Sequence, residues 1–119
     1  MFIGAHTIIY SKQSDEVRAF FRDVLELDST DIGGGWLIFA LPPAELAVHP
    51  DEGATRHELY LMCEDIEATF QKLKAKGVEF TQPVTDQRWG LLTAIRLPDG
   101  SELNMYQPKH STARQGLEP

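Results

Sequence analysis

The side chains in this chain that could carry chemistry are few, and most are imidazoles or aromatic rings. His6 and His57 each lie in an apolar, strand-like run. Histidine titrates near neutrality, so a substrate beside either would meet a base. His49 ends a short apolar run just before Pro50, where an imidazole is ordinarily solvated or hydrogen-bonded to a neighbour. Arg88 and Trp89 are adjacent, and Tyr106 follows in the last apolar run. Together they offer one fixed positive charge and aromatic surface, suited to stacking on and orienting a planar or anionic ligand. Trp89 suits a core or a dimer interface equally well. Cys63 ends an apolar run and reads as an inert buried thiol, not a nucleophile. No spacing in the chain supports a Ser-His-Asp arrangement.

These side chains need elements to hold them. Residues 2–10 (FIGAHTIIY) are apolar and β-branched, the pattern of a buried strand. Ser14 is placed to cap a helix, with Asp15 and Glu16 in its first turn. Val17, Phe20, Phe21, Val24 and Leu25 then form one apolar stripe. Residues 28–31 read as a short edge strand or loop. Gly33, Gly34 and Gly35 form a turn that lacks the strand-to-helix setting of a phosphate-cradling loop. Residues 36–41 (WLIFAL) are the next strand, Pro42 and Pro43 break it, and residues 45–49 (ELAVH) return as its hairpin partner. Residues 50–55 link this half to the next.

The pattern then starts again. Residues 56–62 (RHELYLM) predict a strand and 65–76 a helix, with Ile66, Phe70 and Leu73 on its buried face and Gly77 as its stop. A strand over 78–81 follows, and Pro83 opens a loop. Residues 89–97 (WGLLTAIRL) form a long strand, Pro98-Asp99-Gly100-Ser101 a tight turn, and 102–106 (ELNMY) the last strand. Val17 lies eleven positions after His6 and Ile66 nine after His57, so the openings differ in loop length alone. The closings match as well: LPPAELAVHP (41–50) echoes LPDGSELNMYQP (97–108). Strand, helix and a three-stranded meander thus occur twice. This predicts one α+β domain over 1–108 made of two tandem βαβββ modules, 1–50 and 56–108, with 109–119 as a flexible tail.

Composition bounds the function. At 119 residues the chain suits one domain. Its net charge of −7 argues against non-specific nucleic-acid binding, which needs a basic face to displace counterions, and is compatible with a cationic ligand. A single cysteine excludes an intramolecular disulfide and fits a reducing compartment. No apolar run is long enough to span a bilayer, and the N-terminus shows no basic segment followed by an apolar one. The expected location is the cytoplasm, with no membrane partner.

Three stretches resemble the vicinal oxygen chelate superfamily, which includes glyoxalase I, extradiol dioxygenases and the bleomycin- and fosfomycin-resistance proteins. They are AHTIIYS with VRAFFRDVLEL, HELYLMCEDIEATFQKLKAKGVEF, and QRWGLLTAIRLPDGSELNMYQP, nearly the whole chain apart from the tail. The resemblance implies that each module curves its sheet into a half-barrel. Two modules, from one chain or from two chains of a dimer, then enclose a pocket, with Arg88, Trp89 and Tyr106 near its mouth. In metal-using members each module gives one ligand from its first strand and one from its last. The first-strand positions here are His6 and His57. The last-strand carboxylate position, four residues after Gly100, holds Asn104, and its counterpart through the repeat is Ala47.

Two imidazoles and an amide hold a divalent ion poorly, because carboxylate charge is what offsets the ion's dehydration, and alanine offers no donor. A two-histidine, one-carboxylate iron site fails for the same reason. Strand residues two apart share a face at a pitch of about 6.6 Å, so Glu45 and His49 join Ala47, while Glu102 and Tyr106 join Asn104. His6, His49 and His57 are thus left as one zinc-type possibility. The reading is a small-molecule-binding protein with no cofactor and without the usual metal site, in which His6 and His57 contact the ligand or persist as hydrogen-bonded relics. The alternative is a lyase or extradiol-type dioxygenase using Zn, Fe, Ni or Mn on His6, His57 and Asn104, with His49 as a further donor. A homodimer is expected, because half-barrel sheets leave long edges and apolar faces that a partner covers.

Overall fold

The computed structural model describes residues 6–44, 50, 52–54 and 56–109. Along them run α1 (Ser14–Asp23), β1 (Ser29–Asp31), β2 (Leu37–Phe39), β3 (Tyr60–Met62), α2 (Ile66–Ala75), β4 (Thr85–Gln87), β5 (Gly90–Arg96) and β6 (Glu102–Pro108). The architecture is mixed α+β. β1 and β2 form an antiparallel pair, and the other strands form an open, curved sheet ordered β3-β6-β5-β4.

The second half of the chain shows the expected strand–helix–meander. β3 runs parallel to β6, whereas β6, β5 and β4 pair antiparallel, so α2 is the crossover that a parallel pair requires. Asp65 caps α2 by accepting from the Ala68 amide at 3.1 Å. Gln107 of β6 accepts from the Ile66 amide at 3.0 Å, which ties the helix start to the sheet. Gly77, at φ +83°, ends it in the left-handed conformation that glycine adopts without strain.

The strand predicted over 78–81 is reduced to one bridge, Phe80 with Ile95, and pairing resumes at Thr85 with Leu92. Residues 81–84 therefore face only 93 and 94, which makes a bulge around Pro83. Proline has no amide hydrogen to give to a ladder, so the strand yields there. The hydroxyl of fully buried Thr93 fills the gap by donating to the Gln82 carbonyl at 2.9 Å. β4 lies within what reads in sequence as loop, because Thr85, Asp86 and Gln87 show no apolar alternation.

Both helices belong to one core. Val17 and Phe21 of α1 pack with Leu73 of α2, Val78, and Ile95, Leu97, Leu103 and Met105 of the sheet region. A helix from the first half thus rests against the sheet of the second, a contact that the repeat alone does not predict. Polar ties reinforce it. Lys76 donates to the Val24 carbonyl at 3.0 Å and pairs with Glu26 at 2.8 Å. Glu26 itself turns the chain out of α1 at φ 59°. Arg18 donates to the Gly35 carbonyl at 3.1 Å and lies 5.0 Å from the Trp36 ring centroid, so α1 also holds the β1–β2 hairpin.

Other expectations are corrected. Residues 6–10, predicted as part of a buried strand over 2–10, are exposed and outside any strand, while 2–5 lie outside the described residues. A strand needs a neighbour's backbone, and none among the described residues pairs with 6–10. The strand predicted over 56–62 is paired at Tyr60–Met62. α1 has Gln13, not Ser14, at its N-cap, with no side-chain cap. Lys109, assigned to the tail, belongs to the sheet's end: its amide donates to the Trp89 carbonyl at 3.0 Å and its ammonium pairs with Asp86. Residues 110–119 lie outside the described residues.

The β5–β6 turn is pinned by one carboxylate. Asp99 accepts from the Ser101 amide at 3.0 Å, from the Ser101 hydroxyl at 2.6 Å, and from the Ser11 hydroxyl just ahead of α1. These hydrogen bonds, those from Ser101 foremost, hold its carboxyl down to about 2 from an ordinary 3.8. A depressed folded-state value stabilises the fold above the unfolded value and loses that contribution as pH falls through the folded one. Asp99→Asn should therefore unfold at lower denaturant than the parent at pH 6. The gap should close between about pH 4 and pH 2, and a gap unchanged at pH 2 would contradict this role for Asp99.

Candidate functional site

The side-chain period of two divides the sheet into faces. Leu103, Met105 and Gln107 of β6 turn toward the helices, where the first two are buried and the third caps α2. Asn104 and Tyr106 therefore lie on the opposite, open face. The register carries this across the sheet: Asn104 is flanked by Tyr60 and Ala94, and Tyr106 by Met62 and Leu92.

Three aromatic rings meet on that face. Tyr60 and Tyr106 have centroids 5.6 Å apart, Trp89 and Tyr106 5.5 Å, and Tyr60 and Trp89 6.5 Å, all edge-to-face. Trp89 reaches the cluster because β5 begins one residue later. Held in the β4–β5 turn, its ring escapes the alternation that would have set it with Leu91 and Thr93. Gly90 makes the approach possible. A Cβ there would lie 2.6 Å from the Gln107 carbonyl oxygen and 3.2 Å from the Tyr106 ring.

Electrostatics distinguish the two rows of the chain entering β3. The Tyr60 phenol is pushed up chiefly by burial and then by the charge of Glu58, with Arg56 opposing. Leu59, Leu61 and Cys63 pack against the core. Burial pushes the Cys63 thiol up, against a hydrogen bond with Thr69, so it is no activated nucleophile. At the far end of β5, Arg96 donates to the Gly100 carbonyl at 2.9 Å and pairs with Glu79.

The candidate residues are thus placed as follows. Trp89 and Tyr106 are brought together, and Asn104 sits half-buried beside them, one register step from Tyr106. Arg88 is exposed in the turn before β5. His6 and His57 are exposed, and His49, Glu45 and Ala47 lie outside the described residues. Tyr60 joins the ring cluster and Met62 its face without having been singled out from sequence. The signal was available: in RHELYLM the row Leu59 and Leu61 is apolar and packs on the core, which sends Tyr60 and Met62 the other way. Among the described residues, no three His, Cys, Asp or Glu side chains gather in a way that could hold a metal ion. At the last-strand position stands the neutral amide of Asn104. That donor set does not fit a divalent cation.

An open α+β sheet with helices on one face and an aromatic cluster on the other is thus what the fold defines. The sequence model of the Glyoxalase/Bleomycin resistance protein/Dioxygenase superfamily matches residues 4–105, and the chain belongs to that superfamily. Among solved structures it is similar to TnmS3, an antibiotic binding protein from Streptomyces sp. CB03234, with a TM-score of 0.67 and 21% identity, covering 92% of this chain and 99% of that one. It is also similar to a lactoylglutathione lyase from Agrobacterium tumefaciens, with a TM-score of 0.62, 17% identity and coverage of 88% and 92%. A glyoxylase/bleomycin resistance protein/dioxygenase domain from Frankia sp. EAN1pec gives a TM-score of 0.64 at 14% identity, covering 92% and 99%. A sequence search of curated proteins found no match. Among the described residues, no helix is long and apolar enough to cross a membrane.

The Gly90 contact gives a test of how the cluster is built. Gly90→Ala should destabilise the fold by about 1–3 kcal/mol, the usual cost of overpacking. It should also disturb the near-ultraviolet circular dichroism of the aromatic rings. An alanine variant with parental stability and spectrum would show that β6 does not lie as close as described.

Proposed function

We propose that this protein binds a small organic molecule against the Tyr60–Trp89–Tyr106 face and does so without a divalent metal. The observation that carries this reading is the aromatic cluster on the open face of the sheet, set beside a neutral amide where metal-using relatives need a carboxylate. Rings of this kind present flat apolar area with polar tips, the composition of small-molecule clefts. The antibiotic-binding Streptomyces protein of similar fold supports binding as the role. The lyase of similar fold supports the enzymatic alternative, but the donor set here favours capture over metal-assisted chemistry.

Calorimetric titration with flat probes of three charges (neutral acridone, cationic 9-aminoacridine and anionic anthraquinone-2-sulfonate) tests the reading. At least one should bind in the micromolar range, unaffected by chelator, and Trp89→Ala should weaken it about tenfold, the loss of one stacking ring. Binding by none of the three, or binding that chelator abolishes, would overturn the proposal.

The reading includes a second copy of the chain as partner. Ile8, Ile9, Tyr10, Ile32, Trp36 and Ile38 are large apolar side chains left exposed in the first half. An isolated two-stranded sheet such as β1–β2 is marginal in water. A second copy carries the matching faces and edges through its own modules. Sedimentation velocity at micromolar concentration should give twice the chain mass of 13.4 kDa. Ile38→Asp should shift it toward monomer with far-ultraviolet dichroism retained, and a monomeric parent would exclude the arrangement.

A further inference from the structure

The open face holds a polar side chain whose hydrogen bonds are unspent. Asn104 stands in the middle of β6, opposite Tyr60 on one side and Ala94 on the other, with Tyr106 two residues on. Leu103 and Met105, before and after it, are buried beneath the helices, which fixes the Asn104 side chain on the face of the rings. Half-buried there, its amide has no hydrogen-bond partner among the described residues. Apart from the ring phenols, the other polar side chains that these strands put on that face are engaged or terminal. Thr85 donates to the Leu92 carbonyl at 3.3 Å and accepts from Gln87 at 3.4 Å. Arg96 and Glu102 are the charged side chains of β5 and β6, and both stand at strand ends beside the turn. Arg96 is held there by the Gly100 carbonyl and Glu79. At the opposite end Lys109 pairs with Asp86, and Arg88 is exposed in the β4–β5 turn. The middle of the face therefore offers a neutral amide, with a donor and an acceptor side by side.

Resting on the small-molecule reading above, we infer that Asn104 is the specificity-determining residue of the ring face, and that the ligand is a flat, neutral cyclic amide. The ligand's ring N–H donates to Asn104 Oδ1, Asn104 Nδ2 donates to the adjacent ligand carbonyl, and the ligand's plane stacks on the aromatic cluster. Stacking is indifferent to which flat molecule arrives. The paired hydrogen bonds are not, because a ligand without the N–H leaves the half-buried Asn104 carbonyl unmatched. Ala94, opposite Asn104, has no polar side-chain atom to satisfy the amide instead.

Phenanthridinone, whose N–H and C=O are adjacent, and its N-methyl derivative, which has lost the donor, test this on the full chain. By calorimetric titration phenanthridinone should bind about tenfold tighter than the N-methyl compound and than acridone, whose N–H and C=O sit on opposite edges. Asn104→Ala should erase the preference while leaving acridone affinity within about twofold. Asn104 is the only asparagine in the chain, so protein labelled with nitrogen-15 asparagine shows a single side-chain amide pair and needs no variant to assign it. Those protons should move downfield with phenanthridinone and not with the N-methyl compound. That spectrum decides the matter if Asn104→Ala loses acridone too and is therefore misfolded. Equal affinity for the matched pair, a preference that survives in Asn104→Ala, or an amide signal left in place by bound phenanthridinone would overturn the inference. Failure of every flat probe, acridone included, would instead sink the small-molecule reading. Binding of acridone with no advantage for phenanthridinone would sink this one alone.

Discussion

The structure depends on keeping Ile95, Leu97, Leu103 and Met105 beneath α1 and α2. Fully burying side chains of this size contributes about 1.5–3 kcal/mol each, more than any exposed ion pair in the molecule can offset. A strand that slipped by one residue would carry this whole set out of the core. The register is therefore fixed by the helices, and the opposite face inherits its residues as a consequence. Asn104, Tyr106, Ala94 and Leu92 lie on the open face because their neighbours cannot. The site is the complement of the core.

That core is shared between the halves of the chain. α1 belongs to the first βαβββ pattern in sequence, yet Val17 and Phe21 complete the packing of the second sheet. Lys76 and the Ser11–Asp99 hydrogen bond tie the halves at separate points. The first half gives its helix to this core and leaves its hairpin apolar and exposed. The core of the second half is thus completed within one chain.

The chemistry of the open face follows from what it holds. Family membership sets the fold, and fold alone does not set activity. Where a divalent ion would need negative oxygen donors, the middle of β6 presents an amide between a tyrosine and an alanine. What the face offers is aromatic surface, edge-packed so that each ring holds the next. A thiol raised by burial and histidines outside the ring cluster add no nucleophile to it.

The sequence by itself determined the order of the second module, strand then helix then meander, but not its pairing over 78–87. Its alternation, the Gly77 stop and the Pro98–Gly100 turn are local signals, and each acts within a few residues of where it is read. Trp89 and Tyr106 were legible as aromatic types placed near the ends of strong strands, and the structure brings their rings together. Tyr60 was not singled out, although the leucines beside it carried the pattern. Other features belong to the tertiary structure. The bulge at Pro83 depends on how Thr93 meets Gln82 across the sheet, and the turn that frees Trp89 depends on where β5 starts to pair. The docking of α1 on the second sheet depends on which apolar face was left uncovered. A chain's own periodicity says which residues share a face. Which face is covered, and by what, is settled when distant segments compete to bury it.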